Sequence, residues 1–153
     1  PEVKIHSSFL LWIILFRWLK VHCSHPRMVF VPTVKLARRM YLFLRLFFPC
    51  DYCTSSTEDR DERIEWFRNS EDGILICTTV MERGVTIPKA DICVFHAEHG
   101  VFDKASLIQM AGRAGRTFDH PYGDVLFLCQ QKSELVDQSV KVLEEANAEL
   151  FAV

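Results

Sequence analysis

At 153 residues the chain has the size of one domain with a real core, and 49% hydrophobic with 25% charged content excludes general disorder. The net charge of −2 excludes a global field drawing the protein onto nucleic acid, so phosphate binding must come from a local cluster. The six cysteines could suggest a disulfide framework, but Cys77, Cys93 and Cys129 fall inside apolar runs, where a reduced cysteine is a small hydrophobe. A reduced, cytoplasmic chain is therefore expected. Cys50 and Cys53 form a lone C-x-x-C with no second pair at zinc-finger spacing, so metal or redox chemistry there is the minor reading.

The chain opens on proline rather than methionine, which suggests a piece of a longer polypeptide. Phe9 to Phe16 is an apolar run too short to span a bilayer, and Arg17 and Lys20 interrupt it. Residues 7–22 read as a helix packed on both sides or awaiting a neighbouring domain. Residues 1–25 are accordingly expected to be a helix and linker from a preceding domain, with the main domain at 26–153. His22, Cys23 and His25 could ligate a metal, but a polar turn before Pro26 is the stronger reading.

Met28 to Val31 predicts a strand, and Thr33 caps a helix over 34–48 with Lys35, Arg38, Arg39 and Arg45 on its basic face. Pro49 stops that helix. A short strand at 51–54 leads into the hydroxyl-rich loop Thr54 to Thr57, and a charged helix then runs to Phe67 with Ile64 and Phe67 inward. Ile74 to Cys77 and Ile92 to Phe95 are continuous apolar strands of the kind buried on both faces. A helix over 103–113, a strand over 124–129 and a helix over 132–149 with Leu135, Val136, Val140 and Leu143 inward complete the chain. Strands alternating with helices predict an α/β doubly wound domain with a mainly parallel sheet flanked by helices. Ligands of such sheets sit at the carboxyl ends of the strands. The turns after Val31, Cys77 and Phe95, and the one near Thr54, should then share one edge.

On that edge the sequence Thr78-Thr79-Val80-Met81-Glu82-Arg83-Gly84 offers hydroxyls, a cation and a position where the backbone can turn sharply. The plain alternative is a capped turn. Gln109-Met110-Ala111-Gly112-Arg113-Ala114-Gly115-Arg116 sets two arginines three apart, each after a glycine. On one helical turn they would point off the same bare face and suit phosphate oxygens, where the plain alternative is a solvated basic turn. His96 and His99 form His-x-x-His after a strand, for which a loop role near the cleft outweighs a metal site.

Taken together, these segments resemble superfamily 2 helicases. Thr78 to Pro88 is similar to their motif V, Gln109 to Arg116 to motif VI, Met28 to Thr33 to motif IV, and Arg60 to Phe67 to the charged helix before motif V. Thr78 to Thr86 with Ala97-Glu98-His99 and Val101-Phe102-Asp103 looks most like the late-competence DNA-uptake ATPase family, ComFA, with helicases of the PriA and RecG type as close rivals. The resemblance implies a C-terminal RecA-like domain of a two-lobe motor, with ATP and Mg²⁺ shared with an N-terminal RecA-like lobe. It implies that Arg116 is an arginine finger assisted by Arg113, that Gln109 contacts nucleotide or couples the lobes, and that Thr79, Arg83 and Gly84 link nucleotide state to grip on DNA. Thr78 would hold a phosphate of single-stranded DNA, with Thr33 and Thr54 as weaker contacts. Further implied partners are competence proteins at the membrane, and the implied location is cytoplasmic, including the inner face of the cell membrane. Thr86 stands where related RNA helicases often have an acid, which puts ribose contact there in doubt.

No Gly-x-x-x-x-Gly-Lys-Ser/Thr occurs, and no Asp-Glu pair follows an apolar strand. This chain by itself is therefore not expected to hydrolyse ATP. The competing readings are a stand-alone nucleic-acid-binding adaptor that kept the fold, and a structural domain whose arginines bridge to a partner protein.

Overall fold

The computed structural model describes residues 2–54, 59–78, 90–111 and 124–151. Six strands, β1 (Glu2–Ile5), β2 (Arg27–Phe30), β3 (Cys50–Cys53), β4 (Ile74–Cys77), β5 (Asp91–Phe95) and β6 (Val125–Cys129), form one sheet in the order β1-β6-β5-β2-β4-β3. Every pairing is parallel. Five helices flank it: α1 (Ser8–Val21), α2 (Val34–Leu44), α3 (Arg60–Asn69), α4 (Lys104–Ala111) and α5 (Glu134–Phe151). The α/β doubly wound expectation is met.

Alternation along the strands sorts the apolar side chains into two cores. Val29, Ile74, Ile76, Cys93, Phe95, Leu126 and Leu128 meet α1 and α2 on one face. Met28, Phe30, Leu75, Cys77, Ile92, Val94 and Phe127 meet α3, α4 and α5 on the other. Because both faces are covered, β2, β4, β5 and β6 are buried throughout, which is why they read as unbroken apolar runs. The edge strands differ: β1 exposes a Lys4–Glu2 ion pair at 2.8 Å, a charge placement that blunts further pairing.

Residues 2–21 are part of this architecture. β1 hydrogen-bonds along β6, with Glu2 opposite Leu126 and Ile5 opposite Cys129. α1 buries Leu11, Leu15, Trp18 and Leu19, a helical stripe, against the sheet. Its opposite face stays open, with Phe9 74% and Ile13 42% exposed. The boundary expected after residue 25 falls between α1 and β2 of one sheet. Among the described residues no helix is long and apolar enough to cross a membrane.

α2 starts where expected, since Thr33 Oγ1 accepts the Leu36 backbone N–H at 3.2 Å. It ends earlier than expected, at Leu44, with Phe47 N–H bonding to Leu44 O at 3.0 Å in a tightened turn. Phe48 precedes Pro49, and a residue before proline is pushed out of the helical region, so the last turn gives way. α3 begins at Arg60 and buries Ile64 and Phe67, as its sequence predicts. In α5, Val136 and Leu143 are buried, and Leu135 and Val140 pack beside them.

The amino-terminal edge of the sheet is closed by charged groups. Arg27 is fully buried, and its guanidinium donates to the Leu19 and Asp72 carbonyls and lies 5.3 Å from the Phe48 ring centre. Burial pulls its pKa down, while Cys23, Asp72 and Asp91 pull it back up. Asp91 accepts the Asp124 N–H at 2.9 Å, and His22 sits between Asp91 (3.2 Å) and Asp124 (2.9 Å). Trp18 Nε1 also donates to Asp124, at 2.9 Å.

Candidate functional site

Parallel registers bring the carboxyl ends of the strands together. Phe30 pairs in register with Cys77 and Val94, and Cys53 with Cys77, so Val31, Thr54, Thr78 and His96 follow at one edge. The Val31 N–H bonds to Cys77 O at 2.8 Å, which ties the exits of β2 and β4 together. This is the convergence expected from the sequence, and it arises because all six strands run the same way.

Thr78 brings unused chemistry to this edge. It is 5% exposed, and its Oγ1 has no hydrogen-bond partner among the described residues. A buried hydroxyl left unpaired costs about 1–3 kcal/mol, so an acceptor that reached Thr78 Oγ1 would recover that cost. Thr54, beside it, is 1% exposed and lies below the surface. Thr33 is exposed at the exit of β2, its oxygen committed to capping α2 while its hydroxyl proton stays available to donate.

Gln109 is exposed near the end of α4, which turns Leu107, Met110 and Ala111 into the core. The start of α4 is held by Asp103, whose Oδ1 accepts the Ser106 N–H at 2.7 Å. That backbone bond is the main cause holding the Asp103 pKa below its ordinary value. Thr79, Arg83 and Gly84 lie outside the described residues, in the segment that follows Thr78, and Arg113 and Arg116 lie outside them in the segment that follows Ala111.

The structure adds a feature that sequence reading passed over. His96 takes a left-handed backbone, φ 56°, at the end of β5. Its Nδ1 lies 3.1 Å from Glu98 Oε1, and that same oxygen accepts the Gln130 N–H at 2.9 Å, joining the exits of β5 and β6. Glu98 Oε2 is buried and without a hydrogen-bond partner among the described residues. The only signal in the sequence was an acid placed shortly after a strand-end histidine. His99 turns elsewhere, its Nδ1 accepting the Val101 N–H at 3.1 Å, so the two histidines do not converge.

Among the described residues no group of three or more His, Cys, Asp or Glu could hold a metal. The six cysteines are free. Burial pushes the Cys50 and Cys129 thiols up to about 12, Asp51 adding to the first and Glu98 to the second. It also raises Cys53, Cys77 and Cys93. These thiols stay protonated and inert near neutral pH. His22, weighed earlier as a metal ligand with Cys23 and His25, is engaged by two aspartates on the opposite edge.

With this geometry in place, comparison with known proteins is informative. Residues 10–118 match the family described as the helicase conserved C-terminal domain. The chain is 38% identical over 129 residues to the competence protein ComFA of Streptococcus pneumoniae, covering 82% of this chain and 30% of that protein. ComFA of Bacillus subtilis is 33% identical over 135 residues, covering 86% and 29%. A shorter match, 40% identical over 67 residues, is to the ATP-dependent DNA helicase RecG of Mycobacterium tuberculosis, covering 43% of this chain and 9% of that protein. The chain thus spans about three tenths of the ComFA relatives' length. The structure of S. cerevisiae Dbp5 bound to RNA and ADP–BeF3 superposes with a TM-score of 0.69 at 22% identity, over 98% of this chain and 38% of that one, which shows the shared RecA-like fold.

Proposed function

The chain belongs to the helicase conserved C-terminal domain family, and from that premise we propose that it is the C-terminal lobe of an ATP-dependent DNA helicase or translocase serving DNA uptake in competence. The observation that carries the reading is the unpartnered Thr78 hydroxyl at the shared strand edge, immediately before the Thr79–Gly84 segment. A buried hydroxyl able to donate fits a phosphate oxygen, which brings several acceptors and no sequence information.

On this reading Thr78 grips the backbone of single-stranded DNA, with Thr33 beside the exit of β2. Thr54 serves from beneath the surface, shaping the edge more than touching the strand. ATP, with Mg²⁺ held by an N-terminal RecA-like lobe, supplies the phosphoryl transfer that powers movement. Arg116 provides a permanent charge to that site as arginine finger, Arg113 assists it, and Gln109 contacts the nucleotide or couples the lobes from its exposed place on α4. Thr79, Arg83 and Gly84 relay nucleotide state to the Thr78 grip. A finger of this kind accelerates phosphoryl transfer by roughly 10³–10⁵. The protein is taken to act in the cytoplasm, at the inner face of the membrane where competence partners deliver the strand.

The RecG match supports a second reading, a lobe of a replication or repair helicase, over a shorter stretch. The adaptor reading differs from both in needing no ATP. The test is DNA-stimulated ATPase of the full-length protein. Arg116→Ala should abolish turnover while nucleotide binding survives, and the 153-residue chain alone should be inactive. Full activity of the Arg116→Ala protein sinks the finger assignment. An absence of ATPase from the full-length protein would favour the adaptor.

A further inference from the structure

A cleft of about 570 Å³ opens between α1 and α2, lined by none of the residues given a role in the proposed function. Its walls are Phe9, Ile13, Phe43 and Phe47, with Arg17 and Arg39 alongside. Phe9 is 74% and Phe47 56% exposed, an apolar opening that a monomer in water does not favour. The aromatic wall is organised before any partner arrives: Trp12 meets Phe43 edge-on at 5.9 Å, and Phe16 meets Phe47 at 5.2 Å.

Charge says what covers it. Between Glu2 and Asp51 the chain has no acidic residue but eight cations, whereas residues 51–153 hold 10 Lys and Arg against 19 Asp and Glu. The near-neutral total conceals two poles, and the cleft lies in the cationic one. Both Arg17 and Arg39 line the cleft, and neither forms an ion pair among the described residues. A concave cleft needs side chains that enter it, which a flat lipid surface does not present. A small molecule would need polar groups within the walls to orient it.

We propose that the α1/α2 cleft docks an acidic amphipathic helix of a partner protein, its apolar stripe entering between Phe9 and Phe47 and its carboxylates pairing with Arg17 and Arg39. The occupant is recognised by an apolar stripe at i, i+4, i+7 spacing flanked by Glu or Asp.

The probe is a synthetic fluorescent helical peptide with Leu at those positions and Glu on both flanks, titrated by anisotropy into the whole chain. Saturable binding is expected, weakened about tenfold or more when the Glu residues become Gln or the salt is raised. The double variant Arg17→Glu/Arg39→Glu should lose the Glu peptide and gain its Lys counterpart. Phe9→Ser and Phe47→Ser change exposed side chains, keep the fold by circular dichroism, and should each weaken binding. Equal binding of the Glu and Gln peptides, or none of either, overturns the proposal. So does binding of anionic phosphatidylglycerol vesicles, but not the peptide, in a Phe47-dependent way. A dimer in sedimentation equilibrium that Phe47→Ser dissociates overturns it equally, by giving the cleft to a second copy.

Discussion

At the amino-terminal edge of the sheet, Asp91 receives the Asp124 N–H while His22 bridges Asp91 and Asp124, and Arg27 fills the adjoining space. At the carboxyl-terminal edge, Thr78 Oγ1 and Glu98 Oε2 are buried without hydrogen-bond partners among the described residues, and His96 holds a left-handed backbone. Both edges are made of the same strands, so burial alone does not explain the difference. The first edge spends most of its polar groups on holding helices and strands together, although Arg27 Nε is buried there without a hydrogen-bond partner among the described residues. The other leaves a hydroxyl and a carboxylate oxygen unpartnered at the strand exits and carries a left-handed backbone, and on the function proposed above its Thr78 hydroxyl is the group that meets the DNA.

The largest effect that would sharpen this contrast comes from Asp91→Ala. It removes the acceptor of the Asp124 N–H and a carboxylate facing His22, and should cost about 3–5 kcal/mol in urea unfolding. A loss below about 1 kcal/mol would show that the amino-terminal clamp does not hold the fold.

Alkali should then act on both edges together, because Cys50 begins β3 at one and Cys129 ends β6 at the other, both pushed up to about 12. A thiol whose folded pKa is raised stabilises the fold fully below its unfolded value and loses that contribution as pH rises toward the folded one. Stability should therefore be flat to about pH 8 and decline from about 9 upward, by about 1 kcal/mol per pH unit for each buried thiol. Cys50→Ala and Cys129→Ala should each flatten that decline. An unchanged slope in either variant would exclude its thiol.

Thr78→Val is expected to separate the edges by sign. It removes the unpaired hydroxyl at nearly constant volume, so the fold should gain about 1 kcal/mol while affinity of the full-length protein for single-stranded DNA falls. A destabilised Thr78→Val protein would mean the hydroxyl already serves the fold.

The smallest effect is at His96. Glycine adopts φ 56° without a Cβ penalty, so His96→Gly should recover up to about 1 kcal/mol, less what the contact to Glu98 contributes. A loss greater than about 1 kcal/mol would show that the contact to Glu98 outweighs backbone strain at this position.

Much of this contrast was legible one residue at a time. The apolar runs at β4 and β5, the Thr33 cap and the inward stripe of α5 are local patterns, and the structure has them where the sequence puts them. The shared edge followed from strand–helix alternation. The candidate site was legible as motifs, and the structure locates Thr78, Thr33 and Gln109 but describes neither arginine. Burial of Thr54 was not readable, because a threonine after a short strand looks the same whether a neighbouring strand covers it or not.

By itself the sequence determined most of the strand and helix segments, which faces turn inward, and which residues lie near the carboxyl ends, because periodicity and capping act within a few residues. Tertiary structure decided what depends on distant partners. Glu2–Ile5 became a strand only because β6 offers its unpaired backbone from the far end of the chain. His22, which read as a loop histidine, found Asp91 and Asp124 across the sheet. Arg27, a cation in front of an apolar run, lies wholly inside, since its donors meet carbonyls from α1 and from the turn before β4. No local pattern encodes such pairings, because they exist only once the sheet has brought its strands together.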